Sequence, residues 1–115
     1  MKIIENPVSR EELLNLAKER FGDLAKAVVD VSRGIMALGG ELHADEEALL
    51  IDNGSKQSDL WGINLYPEKF EEDWIEFDSM INIRPSQGNR SRGVENSAVR
   101  EKIKDIVEKL ILPKL

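Results

Sequence analysis

Across residues 9–38 the apolar side chains change period once, at Ala25, from a helical repeat to a twofold alternation. Before the change, Val8, Leu13, Leu16 and Ala17 recur at helical spacing. Ser9 stands three residues ahead of Glu12 in the manner of a capping box, and Gly22 offers a left-handed stop. These signals predict a helix over about 9–21. After the change, Ala27, Val29 and Val31 alternate with Val28 and Asp30, Ser32-Arg33-Gly34 supplies a turn, and Ile35-Met36-Ala37-Leu38 returns. That is the pattern of a β-hairpin. A helix feeding a hairpin needs a sheet with a helix laid against it, which points to an α+β fold.

The remaining chain extends this plan. Lys2-Ile3-Ile4-Glu5 reads as a short strand ended by Asn6-Pro7, and Gly39-Gly40 marks a bulge or a close backbone approach. Residues 44–52 fit two readings: a helix opened by Ala44-Asp45-Glu46-Glu47 and closed by Asn53-Gly54, or a turn followed by a strand Ala48–Ile51. The strand is preferred, because so short a helix gains little from propensity and Asn-Gly is a strong hairpin turn. Leu60–Tyr66 reads as a strand with Trp61, Ile63 and Leu65 on one side, and 67–73 as an acidic loop. Trp74–Arg84 is expected to be a further strand. Its apolar face holds Ile75, Phe77, Ile81 and Ile83, and its open polar face holds Glu76, Asp78, Asn82 and Arg84. Residues 85–93 form a loop, and Asn96 or Ser97 caps a last helix whose stripe is Val99, Ile103, Ile106, Val107 and Leu110. The expected fold is α+β: one domain over 1–115, a two-layer sandwich of a mostly antiparallel sheet of five to six strands with two helices on one face.

Composition narrows the chemistry. The chain has no cysteine and one histidine, which excludes disulfides, thiolate metal sites, a cysteine nucleophile and multi-histidine metal sites. Its net charge is −6, divided into −10 over residues 1–83 and +4 over 84–115. Extensive nucleic-acid binding is therefore not expected, since phosphate neutralisation drives it, whereas a local basic patch suffices for one phosphate. No apolar run approaches a membrane span and no leader precedes the first strand, so the expected location is cytoplasmic.

Three places carry candidate chemistry. The first is the polar row Glu76, Asp78, Asn82 and Arg84, joined by Asn64 and Tyr66 of the neighbouring strand. Two carboxylates two positions apart in a strand suit an acid/base pair or a divalent cation, although the same row fits a solvated sheet face. The second is the loop Gln87–Gly93, where small residues let backbone N–H groups approach an anion and Asn89, Arg90 and Arg92 surround it. No phosphate-loop or dinucleotide fingerprint is present. The third is His43-Ala44-Asp45 with Glu46 and Glu47; in a strand His43 and Asp45 share one side, so that a carboxylate orients an imidazole base. No serine has the context of an activated nucleophile, and no dedicated metal motif occurs. Trp61 is expected in the core and Trp74 exposed, where it fits a dimer contact.

The segments Gly39-Gly40-Glu41-Leu42-His43-Ala44-Asp45, Asp59-Leu60-Trp61-Gly62-Ile63-Asn64 and Phe77-Asp78-Ser79-Met80-Ile81-Asn82-Ile83-Arg84-Pro85 through Asn89-Arg90-Ser91 together resemble a family of small prokaryotic proteins classed as a domain of unknown function. The resemblance spans nearly the whole chain. It implies a complete stand-alone bacterial or archaeal protein and brings no activity, cofactor or catalytic residue. From the residues themselves the first expectation is a binding or regulatory module for a phosphate-bearing ligand or a protein partner. The alternatives are a small metal-assisted hydrolase using Glu76, Asp78 and His43, and a homodimer formed through the open sheet face.

Overall fold

The computed structural model of the chain describes residues 1–113. In chain order the elements are β1 (Lys2–Ile4), β2 (Val8–Ser9), α1 (Arg10–Arg20), β3 (Ala25–Asp30), β4 (Ile35–Leu38), α2 (His43–Asp52), β5 (Leu60–Leu65), β6 (Ile75–Glu76), α3 (Ser97–Leu110) and β7 (Ile111–Leu112). Five strands form an antiparallel sheet in the order β1-β4-β3-β5-β6, while β2 and β7 pair in parallel beside it. The fold is α+β, as the change of period implies. Ser9 accepts from the Glu12 N–H at the start of α1, and Asn96 accepts from the Ala98 and Val99 N–H groups at the start of α3.

The pleat divides the sheet into two buried faces. Ala27, Val29, Met36, Leu38, Trp61, Ile63 and Leu65 pack with Leu13 and Ala17 of α1 and with Ile103, Val107 and Leu110 of α3. The opposite face carries Val28, Ile35, Ala37 and Leu60, and it packs on Leu50 of α2. The two expected helices do share a face, and a third helix covers the other.

Residues 43–52 are therefore helix and not the strand that local signals favour. His43, Glu46 and Leu50 fall on one helical stripe and are all buried, so tertiary packing supplies what propensity lacks. Asn53-Gly54 closes this helix instead of turning a hairpin: Gly54 has φ +99° and its N–H donates to the Ile51 carbonyl. Likewise Trp74–Arg84 is not one strand. Pairing stops at Glu76, and Ser79 accepts from the Ile81 N–H to open a 3-10 turn over Met80–Asn82. The reason lies in Gly62. A Cβ there would stand 2.6 Å from Cβ of Ser79, so the missing side chain lets the 79–82 segment lie across the face of β5 instead of extending the sheet edge. Trp74 is 5% exposed within the core and carries the Arg10 guanidinium 4.1 Å above its ring, so it offers no dimer contact.

Candidate functional site

Between the first turn of α2, the end of β5 and the segment 78–81 lies a cleft of about 210 Å³, lined by Lys26, His43, Asn64, Asp78 and Arg92. Each arrives by a local rule. Lys26 and Asn64 are cross-strand partners of β3 and β5, on the face that α2 covers. His43 is the first residue of α2, whose N-cap is Leu42, a residue with no side-chain group to cap the helix. Leu42, His43 and Ala44 at the start of α2 line the cleft, and the N–H groups ahead of Asp45, whose own donates to the Leu42 carbonyl, have no intrahelical acceptor. Asp78 and Arg92 come from the irregular segments that cross β5, and their side chains form an ion pair with Nε to Oδ1 at 2.6 Å.

His43 is 8% exposed, and its Nε2 lies 2.8 Å from the Ile63 carbonyl oxygen. A carbonyl only accepts, so Nε2 carries the proton and the neutral ring keeps its lone pair on Nδ1. Burial lowers the imidazole below its ordinary range, with Lys26 and Arg92 pushing the same way and the Ile63 bond and Asp78 opposing. Two cations against one carboxylate thus act on the ring. Asn64 donates through Nδ2 to Glu76 Oε1 at 2.8 Å and to the Asp78 carbonyl at 3.3 Å, while its Oδ1 is buried without a partner. Tyr66 also donates to Glu76, so of the expected polar row the structure brings Glu76 to Asn64 and Tyr66.

Other expected site residues are dispersed. Asp45 lies two positions after His43 on a helix, which turns it to another side. It lines a separate depression of about 400 Å³ with Met1, Arg20 and Asp52, and His43 and Asp45 form no pair there. Glu76 and Asp78 do not share a strand face, because the strand ends between them. Arg84 sits 4.1 Å over the Trp61 ring and donates to the carbonyls of Gln57 and Leu60, which pins 57–60 and keeps it out of the cleft. Asn82 is fully buried. It accepts from the Gly62 N–H at 2.8 Å and donates to the Gly62 and Arg92 carbonyls, substituting for a strand partner. Asn89 donates to the Asn82, Ser91 and Gly93 carbonyls and accepts from the Glu95 N–H.

The loop 87–93 has the anion-binding backbone its composition suggests, but the anion is the chain's own. Glu95 Oε2 accepts from the N–H groups of Arg90 at 2.6 Å and Ser91 at 2.9 Å, bonds that hold its carboxyl below the usual range. A depression of about 510 Å³ lies beside it, lined by Trp61, Gln87, Asn89 and Glu95. It is larger than the cleft at α2. The smaller cleft at α2 brings His43, Asn64, Lys26 and the Asp78–Arg92 pair together.

Sequence reasoning missed Lys26, and it placed Glu46 beside His43 without foreseeing its burial. Lys26 interrupts an apolar strand and was the available signal for a polar spot on the buried face. Glu46 reads as part of an acidic turn, yet it is fully buried, with Oε2 accepting from the Gly40 N–H at 3.0 Å. Burial raises its carboxyl to about 9, against the Gly40 bond, Lys26 and the N-terminal ammonium, with a small upward push from Asp45. A Cβ on Gly40 would lie 2.7 Å from Glu46 Cγ, so the second glycine of Gly39-Gly40 is the close approach its sequence implied. Among the described residues no three of His, Cys, Asp and Glu are grouped so as to hold a metal ion.

Residues 2–110 match the family described as "Protein of unknown function (DUF5674)". The chain belongs to this family. No curated protein and no solved structure matches it. No helix among the described residues is long and apolar enough to cross a membrane.

Proposed function

We propose that the cleft at the start of α2 binds a small phosphate-bearing ligand, and that the protein is a binding module rather than a hydrolase. The observation that carries this is the convergence of Lys26 and Arg92 on the uncapped N-terminus of α2 beside a neutral His43. An anion there gains the positive end of the helix dipole together with Arg92 and Lys26, cations that Asp78 and the Phe21 ring hold in the free protein. The same cleft holds no serine in an activating arrangement: the Ser79 hydroxyl oxygen accepts from Ile81 and is 1% exposed. The homodimer reading rested on an open sheet face, and α2 covers that face.

Calorimetric titration with inorganic phosphate tests the proposal. The expected result is saturable binding that weakens about tenfold in Lys26→Ala and is unchanged in Arg90→Ala, whose side chain lies outside the cleft. Absence of saturable binding, or equal affinity in Lys26→Ala, would refute it.

A further inference from the structure

We propose that His43 accepts a phosphoryl group in this cleft, its Nδ1 attacking a small acyl phosphate to form an Nδ1-phosphohistidine. The inference rests on the phosphate reading above and names the group that reacts with the ligand. His43 is 8% exposed and lines the cleft. Its two ring nitrogens face opposite sides of the imidazole. Nε2 is turned to β5, where it donates to the Ile63 carbonyl at 2.8 Å, so Nδ1 points away from that carbonyl with an unprotonated lone pair. Nδ1 has no hydrogen-bond partner among the described residues, and unlike the wholly enclosed Asn64 Oδ1 it keeps accessible surface.

An imidazole with one nitrogen anchored and the other open is a nucleophile held in one tautomer and one orientation. Burial, and after it Lys26 and Arg92, disfavours a proton on the ring, against the Ile63 bond and Asp78, so the lone pair is available at neutral pH. The same charges suit the product. Once a phosphoryl dianion sits on Nδ1, Lys26 and Arg92 attract it, as does the positive end of α2, whose first residue is His43 itself. Asp78 opposes, but its carboxylate is paired with Arg92 at 2.6 Å. In the transfer the Nδ1 lone pair forms the N–P bond while the P–O bond to the acyl oxygen breaks, and the carboxylate leaves with that electron pair. No base is needed, since Nδ1 has no proton to lose and Nε2 keeps its own on the Ile63 carbonyl. The positive charge the ring gains is offset by the phosphoryl group it bears. The volume of about 210 Å³ falls below the roughly 300–1,000 Å³ of sites for larger ligands, which fits a phosphoryl group with a leaving group of a few carbons.

The test incubates the full chain, isotopically labelled at its single histidine, with acetyl phosphate, and reads the adduct by intact mass and by phosphorus and nitrogen nuclear magnetic resonance. The expected result is a phosphoryl group on Nδ1 of His43, formed at least about tenfold faster than in the urea-unfolded chain and absent in His43→Gln. No adduct on His43, or one on Nε2, overturns the inference. So does an adduct that forms equally fast in the unfolded chain, since the reactivity then owes nothing to the fold. Calorimetry with inorganic phosphate on the same protein separates this inference from the reading it rests on. Saturable binding without an adduct overturns the inference alone, and absence of both removes the phosphate reading with it. If His43→Gln does not fold, the position of the phosphoryl group on the wild-type ring decides.

Discussion

Replacing Asn82 with Ala should destabilise the protein far more than deleting a polar side chain normally does. Asn82 is fully buried and makes three hydrogen bonds: one accepted from the Gly62 N–H and two donated, to the Gly62 and Arg92 carbonyls. Truncation leaves both backbone groups of Gly62 unpaired in the interior, whereas the Arg92 carbonyl still accepts from the Ser79 N–H. Each stranded buried group costs about 1–3 kcal/mol, and because both lie on one residue that can shift as a unit, the loss should be about 2–4 kcal/mol. At roughly 4 °C per kcal/mol for a domain of this length, the melting temperature should fall by about 8–16 °C. Urea denaturation followed by circular dichroism measures it directly, and the slope of the transition reports whether compactness also changes. Asn82→Asp should lose at least as much at neutral pH, because a buried carboxylate oxygen then faces the Gly62 and Arg92 carbonyls in place of the Nδ2 donor. A loss below about 1 kcal/mol for Asn82→Ala would mean that the 79–92 segment is not anchored through Gly62, and the account of why Trp74–Arg84 leaves the sheet would fail.

Glu46→Gln should raise stability above neutral pH. The Glu46 carboxyl binds its proton up to about 9 in the fold but titrates near 4.5 when unfolded, so the wild type loses stability as pH rises between those values. A melting-temperature profile from pH 5 to 9 should be flatter in the variant; parallel profiles contradict the assignment. His43→Gln tests the opposite sign. The folded imidazole titrates below 6.5, so its contribution is present above that pH and is lost as pH falls toward the folded value, and the variant should remove this acid-side loss. Gly62→Ala should cost about 1–3 kcal/mol in denaturant unfolding, because its Cβ meets Ser79, which is itself 1% exposed and cannot retreat into open space. Wild-type stability in that variant would show that the 79–82 segment yields freely.

Much of the fold was legible because local signals and packing agree. Ser9, Gly22 and Asn96 sit where the helix-capping chemistry puts them, and the alternation on either side of Ser32-Arg33-Gly34 gives the central hairpin. Legibility failed where two buried faces had to be served by one sequence. Residues 43–52 carry helical spacing in His43, Glu46 and Leu50, but a buried histidine and a buried glutamate do not register as apolar, so the stripe is invisible until the sheet face beneath it is known. Residues 75–83 alternate as a strand does, and nothing local reveals that Gly62, far off in sequence, invites the segment over the sheet. The site divides the same way. Asn64, Asp78, His43 and Arg92 were candidates for separate reasons, and only the helix at 43–52 brings them together with Lys26. Arg84, Asn82 and Asn89 have the side chains of ligand-binding residues and spend them on backbone carbonyls.

The central claim is tested most directly by titrating the isotopically labelled protein with inorganic phosphate and following backbone amide resonances by nuclear magnetic resonance. Binding at the start of α2 predicts saturable shifts concentrated at the amides of Leu42, His43 and Ala44, with smaller ones at Lys26 and Asn64. Shifts confined to residues 88–95, where phosphate would have to displace Glu95, would contradict it, and so would a spectrum that phosphate leaves unchanged.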